Sequence, residues 1–333
     1  MKKVLSLILA LAMVFALAAC GEKQPSNDGN TDGDKPARGN VIMTFGTADT
    51  GGSMYPAGAA VSQVWTNNVE GVKCNTQTST GSFQNCQDVS TGEVDVAVAT
   101  SDVVLNAYNG TGKFADIGKL DNLRVIGAVY TSVLSGVALK SSGLTYIHEL
   151  LGKRVAVGPA ASATENATLA AFGVMGIDSS NTSLENLGLG DGADSVGDGI
   201  LDAAFGFAGL PIGGQLNLAA TKEIQVLDMT QEEIDKVLAG NAAYIQTKIP
   251  AGTYTGQDND ANTFGVKCLI IVTADMDADL VYDLCKAMNE HTEELAAGNA
   301  LLKDMTDPSF LCTQMPIPLH DGAQKYYSEQ GLI

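Results

Sequence analysis

Residues 46–56, GTADTGGSMYP, and residues 158–165, GPAASATE, are two versions of one small-residue loop. Each follows a short run of β-branched and apolar residues that predicts a strand, and each precedes a stretch of helical character. A strand, a tight turn and a helix start together present unpaired backbone N–H groups at the positive end of a helix, where anions bind. Two such loops, one in each half of the chain, predict two lobes that close on one small molecule.

Helix-start signals support this interpretation of both loops. Ser53 can cap the first helix, and Pro56 falls in its first turn. Ser162 and Glu165 form the S-x-x-E capping box of the second helix. Both loops are therefore expected to end in an exposed helix N-terminus.

The rest of the chain alternates between predicted strands and predicted helices. We predict strands at 41–45, 72–77, 94–99, 123–129, 136–140, 154–157, 202–207, 224–228 and 264–273. We predict helices at 55–68, 82–91, 101–107, 145–151, 163–175, 193–199, 231–239 and 277–297. This alternation indicates an α/β fold with mainly parallel sheets. The segments at 91–99 and 198–206 also resemble each other, because an aspartate (Asp95 or Asp202) precedes a buried-type strand in each. We interpret the two halves as variants of one β-α-β-α-β plan, and we expect both aspartates to fix turns.

A ligand cleft is expected beyond the carboxyl ends of the strands, as in other open α/β sheets. The segments that this rule selects are 46–55, 79–82, 100–102, 130–132, 159–164 and 206–211. They contain no lysine or arginine, and Tyr55 and Tyr130 are their polar aromatic residues. Backbone N–H groups and hydroxyls would therefore hold an anionic ligand. An ammonium on the ligand would need carbonyls or an acid, and Asp49 and Asp102 are the candidates.

The N-terminal segment predicts export and a lipid anchor. Residues 1–19 combine a basic start, an apolar run and a small-residue cleavage site, which is typical of a signal peptide. Cys20 follows Leu-Ala-Ala, the pattern of a bacterial lipobox, so we expect lipidation of Cys20; an ordinary signal peptide is the alternative. The polar residues 20–39 are predicted to be a flexible tether, and the folded part is expected to begin near Asn40.

Composition and spacing disfavour several other functions. The formal charge of −19 disfavours nucleic acid as a partner, since that partner needs a basic surface. The five cysteines after Cys20 show no C-x-x-C spacing, and their pairing stays open: Cys74, Cys86, Cys268, Cys285 and Cys312. The three histidines, His148, His291 and His320, lack ligand spacing, so we predict neither a metal nor a cofactor. No catalytic motif is present, and an enzyme is not expected.

Seven segments resemble the TAXI family of solute receptors for TRAP transporters, and the likeness spans nearly all of 41–333. They lie at 46–63, 78–85, 91–114, 152–165, 201–211, 249–266 and 315–332. The resemblance implies a two-lobed periplasmic-binding-protein fold with two crossovers (type II), and a membrane permease that uses an ion gradient. Lobe one would comprise 40–132 and 262–333, and lobe two 133–261.

The resemblance also implies which residues bind the solute. Together with Thr80 and Tyr130 on the predicted rim, they are Thr50, Gly51, Gly52, Ser53, Met54, Tyr55, Gly81, Ser82, Ser101, Ser162, Thr164, Ala208 and Gly209. Family ligands are glutamate-type amino acids and small di- or keto-carboxylates. Several glycines of the family are replaced here by Ala48, Asp49, Thr80, Ala161 and Ala163, so the identity of the solute stays open.

We therefore expect a monomeric, lipid-anchored extracytoplasmic receptor that binds a small carboxylate and delivers it to a TRAP permease. One alternative is a sensor that presents the same fold to a membrane kinase. A second is the receptor of an ATP-driven (ABC) importer. A third, from another class, is an extracellular enzyme built on the same two lobes.

Overall fold

A computed structural model describes residues 39–48, 53–160 and 162–333. The predicted signal peptide, Cys20 and almost all of the tether lie outside the described residues. So do Asp49, Thr50, Gly51 and Gly52 of the first loop and Ala161 of the second. Among the described residues, no helix has both the length and the apolar character needed to cross a membrane.

The first half of the chain builds a parallel three-stranded unit. Its elements are β1 (Val41–Gly46), α1 (Met54–Asn68), β2 (Val72–Gln77), α2 (Ser82–Thr91), β3 (Val96–Thr100) and α3 (Ser101–Asn109). Strand β1 lies in the centre and pairs in parallel with β2 on one side and β3 on the other. The long strand β4 (Leu123–Leu139) follows this unit.

The second half repeats the arrangement. Its elements are β5 (Arg154–Ala156), α4 (Ala163–Val174), β6 (Ser183–Glu185), α5 (Leu189–Gly197) and β7 (Ala203–Ala208). Strand β5 lies in the centre and pairs in parallel with β6 and β7. The predicted β-α-β-α-β repeat is therefore confirmed, because both units place their first strand between the second and third.

Equivalent aspartates fix both units. Asp95 accepts a hydrogen bond from the amide of Thr44 at 2.7 Å, and Asp202 accepts one from the amide of Arg154 at 2.8 Å. In each unit the aspartate precedes the third strand and binds the backbone of the first strand. The prediction that these aspartates fix turns is confirmed.

The remaining elements complete one mixed sheet and its helical layers. They are α6 (Gly213–Thr221), β8 (Ile224–Val226), α7 (Gln231–Gly240), β9 (Ile245–Ile249), β10 (Ala261–Thr273), α8 (Ala278–Glu290), α9 (Thr292–Gly298), α10 (Pro308–Cys312) and α11 (Asp321–Glu329). The ten strands follow the order β2-β1-β3-β10-β4-β7-β5-β6, with β8 paired to β4 and β9 paired to β10.

Two long antiparallel strands, β4 and β10, connect the two units. Their register pairs Cys268 with Tyr130 and Gly265 with Val133. The sequence predicted two strands, 123–129 and 136–140, with a cleft segment at 130–132 between them. That division is wrong, since β4 runs without interruption from Leu123 to Leu139.

Apolar side chains cover both faces of the sheet in each unit. In the first unit, Phe45 and Val98 belong to one buried cluster, while Ala97 and Leu269 belong to the cluster on the other face. The second unit has its own pair of clusters. Each unit therefore has its own core, and β4 and β10 contribute to both. The five cysteines after Cys20 are all unpaired and buried.

A tight contact between β4 and β10 at Gly265 generates a stability prediction. A Cβ atom on Gly265 would lie 2.4 Å from the carbonyl oxygen of Ser132, an atom held by the pairing itself. The Gly265→Ala variant should therefore lose about 1–3 kcal/mol of unfolding free energy through overpacking. Urea unfolding followed by circular dichroism measures this loss.

Gly173 supplies the matched control. It is exposed near the end of α4, with no atom within 4 Å of an added Cβ. Gly173→Ala should stabilise the protein by roughly 0.5–1 kcal/mol, because alanine favours the helix. Equal unfolding free energies for the two variants would show that the strand contact does not constrain position 265.

Candidate functional site

One cavity of about 460 Å³ lies where the two units face each other. Residues of the first unit form one wall, residues of the second unit form the opposite wall, and Tyr130 and Ser132 of β4 contribute between them. This volume suits a small organic solute. All six segments that the sequence selected as the cleft rim contribute residues to this one cavity.

Five helices begin at the wall of this cavity. The lining residues at these starts are Ser53 and Met54 of α1, Gly81 and Ser82 of α2, Thr100 and Asp102 of α3, Ser162, Ala163 and Thr164 of α4, and Leu189 of α5. The first turn of a helix leaves backbone N–H groups without intrahelical partners and carries partial positive charge. The cavity therefore receives positive potential from both units.

The loop before α4 is shaped by a glycine and by two hydroxyls. Gly158 has a φ of +96°, and a Cβ atom there would lie 2.5 Å from the Thr164 side chain, so only glycine fits. The Ser162 hydroxyl accepts a hydrogen bond from the Glu165 amide at 3.1 Å, which confirms the predicted cap. The Thr164 hydroxyl accepts one from the Phe207 amide at 3.2 Å and joins the helix start to β7.

The start of α2 is held in a similar way. Gly81 is the N-cap residue, with a φ of +111° that favours glycine. The Ser82 hydroxyl accepts a hydrogen bond from the Thr100 amide at 3.0 Å, so the start of α2 is joined to the end of β3. The contacts of the Ser82 and Thr164 hydroxyls are both buried, and each fixes a helix start at the cavity.

The structure brings most of the predicted binding residues together. Nine of them line the cavity: Ser53, Met54, Thr80, Gly81, Ser82, Tyr130, Ser162, Thr164 and Ala208. Three do not line it: Tyr55, Ser101 and Gly209. The remaining three, Thr50, Gly51 and Gly52, lie outside the described residues.

Of the predicted binding residues that do not line the cavity, two have other roles. The Ser101 hydroxyl lies at the start of α3 and donates a hydrogen bond across the cleft to the carbonyl of Ala243 at 3.3 Å. Gly209 lies against Leu301, whose Cδ1 atom would be 1.8 Å from an added Cβ. The small residues at these two positions therefore allow parts of the chain that are distant in sequence to contact each other.

The capping role predicted for Ser53 is wrong, and Ser82 is not a cap either. Ser53 precedes α1 in a helical conformation, with φ −74° and ψ −26°, and its side chain makes no capping hydrogen bond. Capping needs an extended backbone, which aims the oxygen at the amides of the first turn. Ser82 is the first residue inside α2, and its oxygen accepts from β3 instead.

Residues 45–331 match the NMT1-like family. The chain belongs to that family. Its fold is similar to a TctC solute-binding protein from Polaromonas, with a TM-score of 0.53, 14% identity, and coverage of 88% of this chain and 98% of the other. It is also similar to PhnD1 from Prochlorococcus marinus in complex with methylphosphonate, with a TM-score of 0.53, 10% identity, and coverage of 88% and 99%.

These similarities confirm the predicted fold class. The first of these solved structures is that of a solute-binding protein, the second is that of a protein in complex with methylphosphonate, and this chain shares their α/β fold. Family and fold together indicate a solute-binding protein. The cavity between the two units is therefore the candidate site for the solute.

One acidic and one basic side chain on the cavity wall were absent from the set of predicted binding residues. Lys113 follows α3 in a short 3₁₀ turn, Gly112–Phe114, so the expectation that the cleft carries no cation is wrong. This turn follows a helix, so the rule that selects segments directly after strands does not include it. Buried Phe114, whose ring contacts Phe83 at 4.5 Å, holds the turn at the cavity. Asp102, considered only as a partner for an ammonium, also lines the wall.

The Ser82 contact generates a second prediction. Ser82→Ala removes the acceptor of a buried amide at Thr100, and an unpaired buried N–H costs about 1–3 kcal/mol. We expect a loss of unfolding free energy of this size, measured by urea unfolding of the ligand-free protein.

Ser53→Ala provides the comparison on the same wall. Its hydroxyl makes no capping bond, so the change should stay within about 0.5 kcal/mol of the wild type. A loss in Ser53→Ala that equals the loss in Ser82→Ala would contradict the assigned roles.

Proposed function

We propose that this chain is an extracytoplasmic receptor that captures a small carboxylate solute and delivers it to a TRAP permease driven by an ion gradient. The convergence of five helix starts and Lys113 on one cavity carries the proposal. A carboxylate suits their N–H donors, because charge-assisted hydrogen bonds are the strong ones.

Electrostatics favour an anion in this cavity despite the acidic sequence. Each helix start behaves as about half a positive charge, and the effect is confined to the first turn. Lys113 lies at the same wall and brings a basic side chain to it. Surface carboxylates more than a Debye length away, about 8 Å at physiological ionic strength, are screened and oppose binding little.

Closure of two lobes completes the proposed mechanism. We assign residues 40–132 and 262–333 to lobe one and residues 133–261 to lobe two, with β4 and β10 as the crossovers. Separate cores in the two units support this division. The Ser101–Ala243 contact spans the cleft and is suited to hold the closed form. Exclusion of water on closure strengthens each hydrogen bond to the solute.

The finer assignment rests on sequence. The TAXI-like segments favour a TRAP permease and a glutamate-like amino acid, dicarboxylate or keto acid as the solute. The signal-like residues 1–19 and the lipobox at Cys20 favour export and lipid anchoring.

Titration calorimetry tests solute capture. The full chain is unfolded, dialysed and refolded to remove bound solute, then titrated with amino acids, keto acids and dicarboxylates of two to six carbons. We expect saturable binding of at least one carboxylate and none of its uncharged amide or alcohol counterpart. Lys113→Gln should weaken that binding roughly 10- to 100-fold, since a hydrogen bond to a charged group contributes about 1.5–3 kcal/mol.

Lys303→Gln is the control, because Lys303 is exposed and lines a separate groove behind β4. Its affinity should equal that of the wild type. Failure of every carboxylate to bind, or equal binding of the uncharged counterpart, would overturn the proposal.

Uptake into proteoliposomes tests the permease. The receptor and a TRAP permease from the same organism should transport the captured solute when a sodium or proton gradient is imposed, without ATP. Uptake that needs ATP and an ABC permease would reassign the receptor to that class of importer.

A further inference from the structure

Asp102 is the second residue of α3 and is almost fully buried. Strand β3 is buried along its whole length and ends at Thr100, so the helix that follows starts inside the protein. Only 6% of Asp102 is exposed, and the residue lines the candidate cavity. A carboxyl group in such a place must find partners or lose its charge.

One of its carboxyl oxygens lacks a partner. Oδ1 of Asp102 is buried and makes no hydrogen bond with any described residue. Burial raises the pKa of Asp102, and hydrogen bonds from Thr100 and the Val103 amide oppose that rise without cancelling it. The surrounding groups therefore stabilise the negative charge of Asp102 only in part.

The groups around Asp102 do not supply the missing donor. Burial is the main cause of the raised pKa values of Cys86, Cys268 and Tyr244, and a negative charge on Asp102 adds to each rise. Among the described wall residues, Asp102 is the one acidic side chain and Lys113 the one basic side chain.

We propose that Asp102 determines specificity by accepting a hydrogen bond from an ammonium group of the solute, so that the receptor selects amino acids over keto acids and dicarboxylates of the same length. This inference rests on the proposed function, because the helix starts and Lys113 hold the solute carboxylate. A solute with only carboxylates would place like charge beside a buried carboxylate, which is unfavourable. An ammonium at the cavity wall neutralises the Asp102 carboxylate.

The pH dependence of affinity distinguishes this role from the opposite one. An acid with a raised pKa in the empty site must lose its proton before it can pair with an ammonium. Affinity for an amino acid should therefore rise with pH above 3.8, the ordinary value, until Asp102 is fully ionised. If neutral Asp102 instead donated its proton to a solute carboxylate, affinity would fall over the same range.

The experiment compares pairs of solutes that differ only in the amino group. The refolded full chain is titrated at several pH values between 4 and 8 with glutamate against 2-oxoglutarate, and with alanine against pyruvate. For the wild type we expect at least tenfold tighter binding of the amino acid, with affinity that rises with pH. Asp102→Asn should lose this preference and its pH dependence, while its melting temperature stays at or above that of the wild type.

Asp191→Asn is the matched control. Asp191 is also an acid in the first turn of a helix, α5, but it is exposed and does not line the cavity. This variant should keep the wild-type preference and pH dependence. Equal or tighter wild-type binding of the keto acid, or equal weakening of both solutes in Asp102→Asn, would overturn the role of Asp102 and leave the proposed function intact. Absence of binding by every carboxylate would overturn both.

Discussion

The pairing of β4 with β10 is the constraint on which the rest of the structure depends. These two strands cross between the units, and each contributes to the cores of both. Side chains alternate across a strand, so Tyr130 and Ser132 face the cavity, while Thr131 and Val133 face the groove behind it. The same pairing therefore holds the units together and separates the site from the opposite surface.

Gly265 allows β4 and β10 to pair closely. On the face of β10 away from the cavity, Lys267 binds the C-terminal part of the chain. The Lys267 ammonium donates hydrogen bonds to the carbonyls of Phe310 and Thr313 and lies 4.5 Å from the Phe310 ring centre. It satisfies carbonyls at the end of α10 that the short helix leaves open. Elements from the C-terminal part of the chain are thereby fixed to the crossover strand, and β10 receives support on the face away from the cavity.

Sequence signals correctly predicted the elements whose bounds depend on neighbouring residues in the chain. Helix α2 was predicted at 82–91, the bounds that the structure shows, because glycine and serine punctuate a clear apolar period there. Continuity of β4 through residues 130–132 was not predictable in this way. Polar Tyr130, Thr131 and Ser132 resemble a loop, and only pairing with β10 keeps them in a strand. The position of Lys113 at the cavity was not predictable from local signals either, because the packing of Phe114 against other elements brings it there.

The charge distribution of the cavity explains why two opposite requirements can be met in one small space. Helix starts favour negative charge over one turn only, so their effect is local and directional. Asp102 lies in such a first turn, where the dipole favours its ionised form, while burial disfavours that form more strongly. A hydrogen-bond donor on the ligand would therefore favour the charged form of this carboxylate. A solute that carries both charges uses the helix dipoles at one end and this carboxylate at the other, whereas a purely anionic solute can use only the dipoles and Lys113.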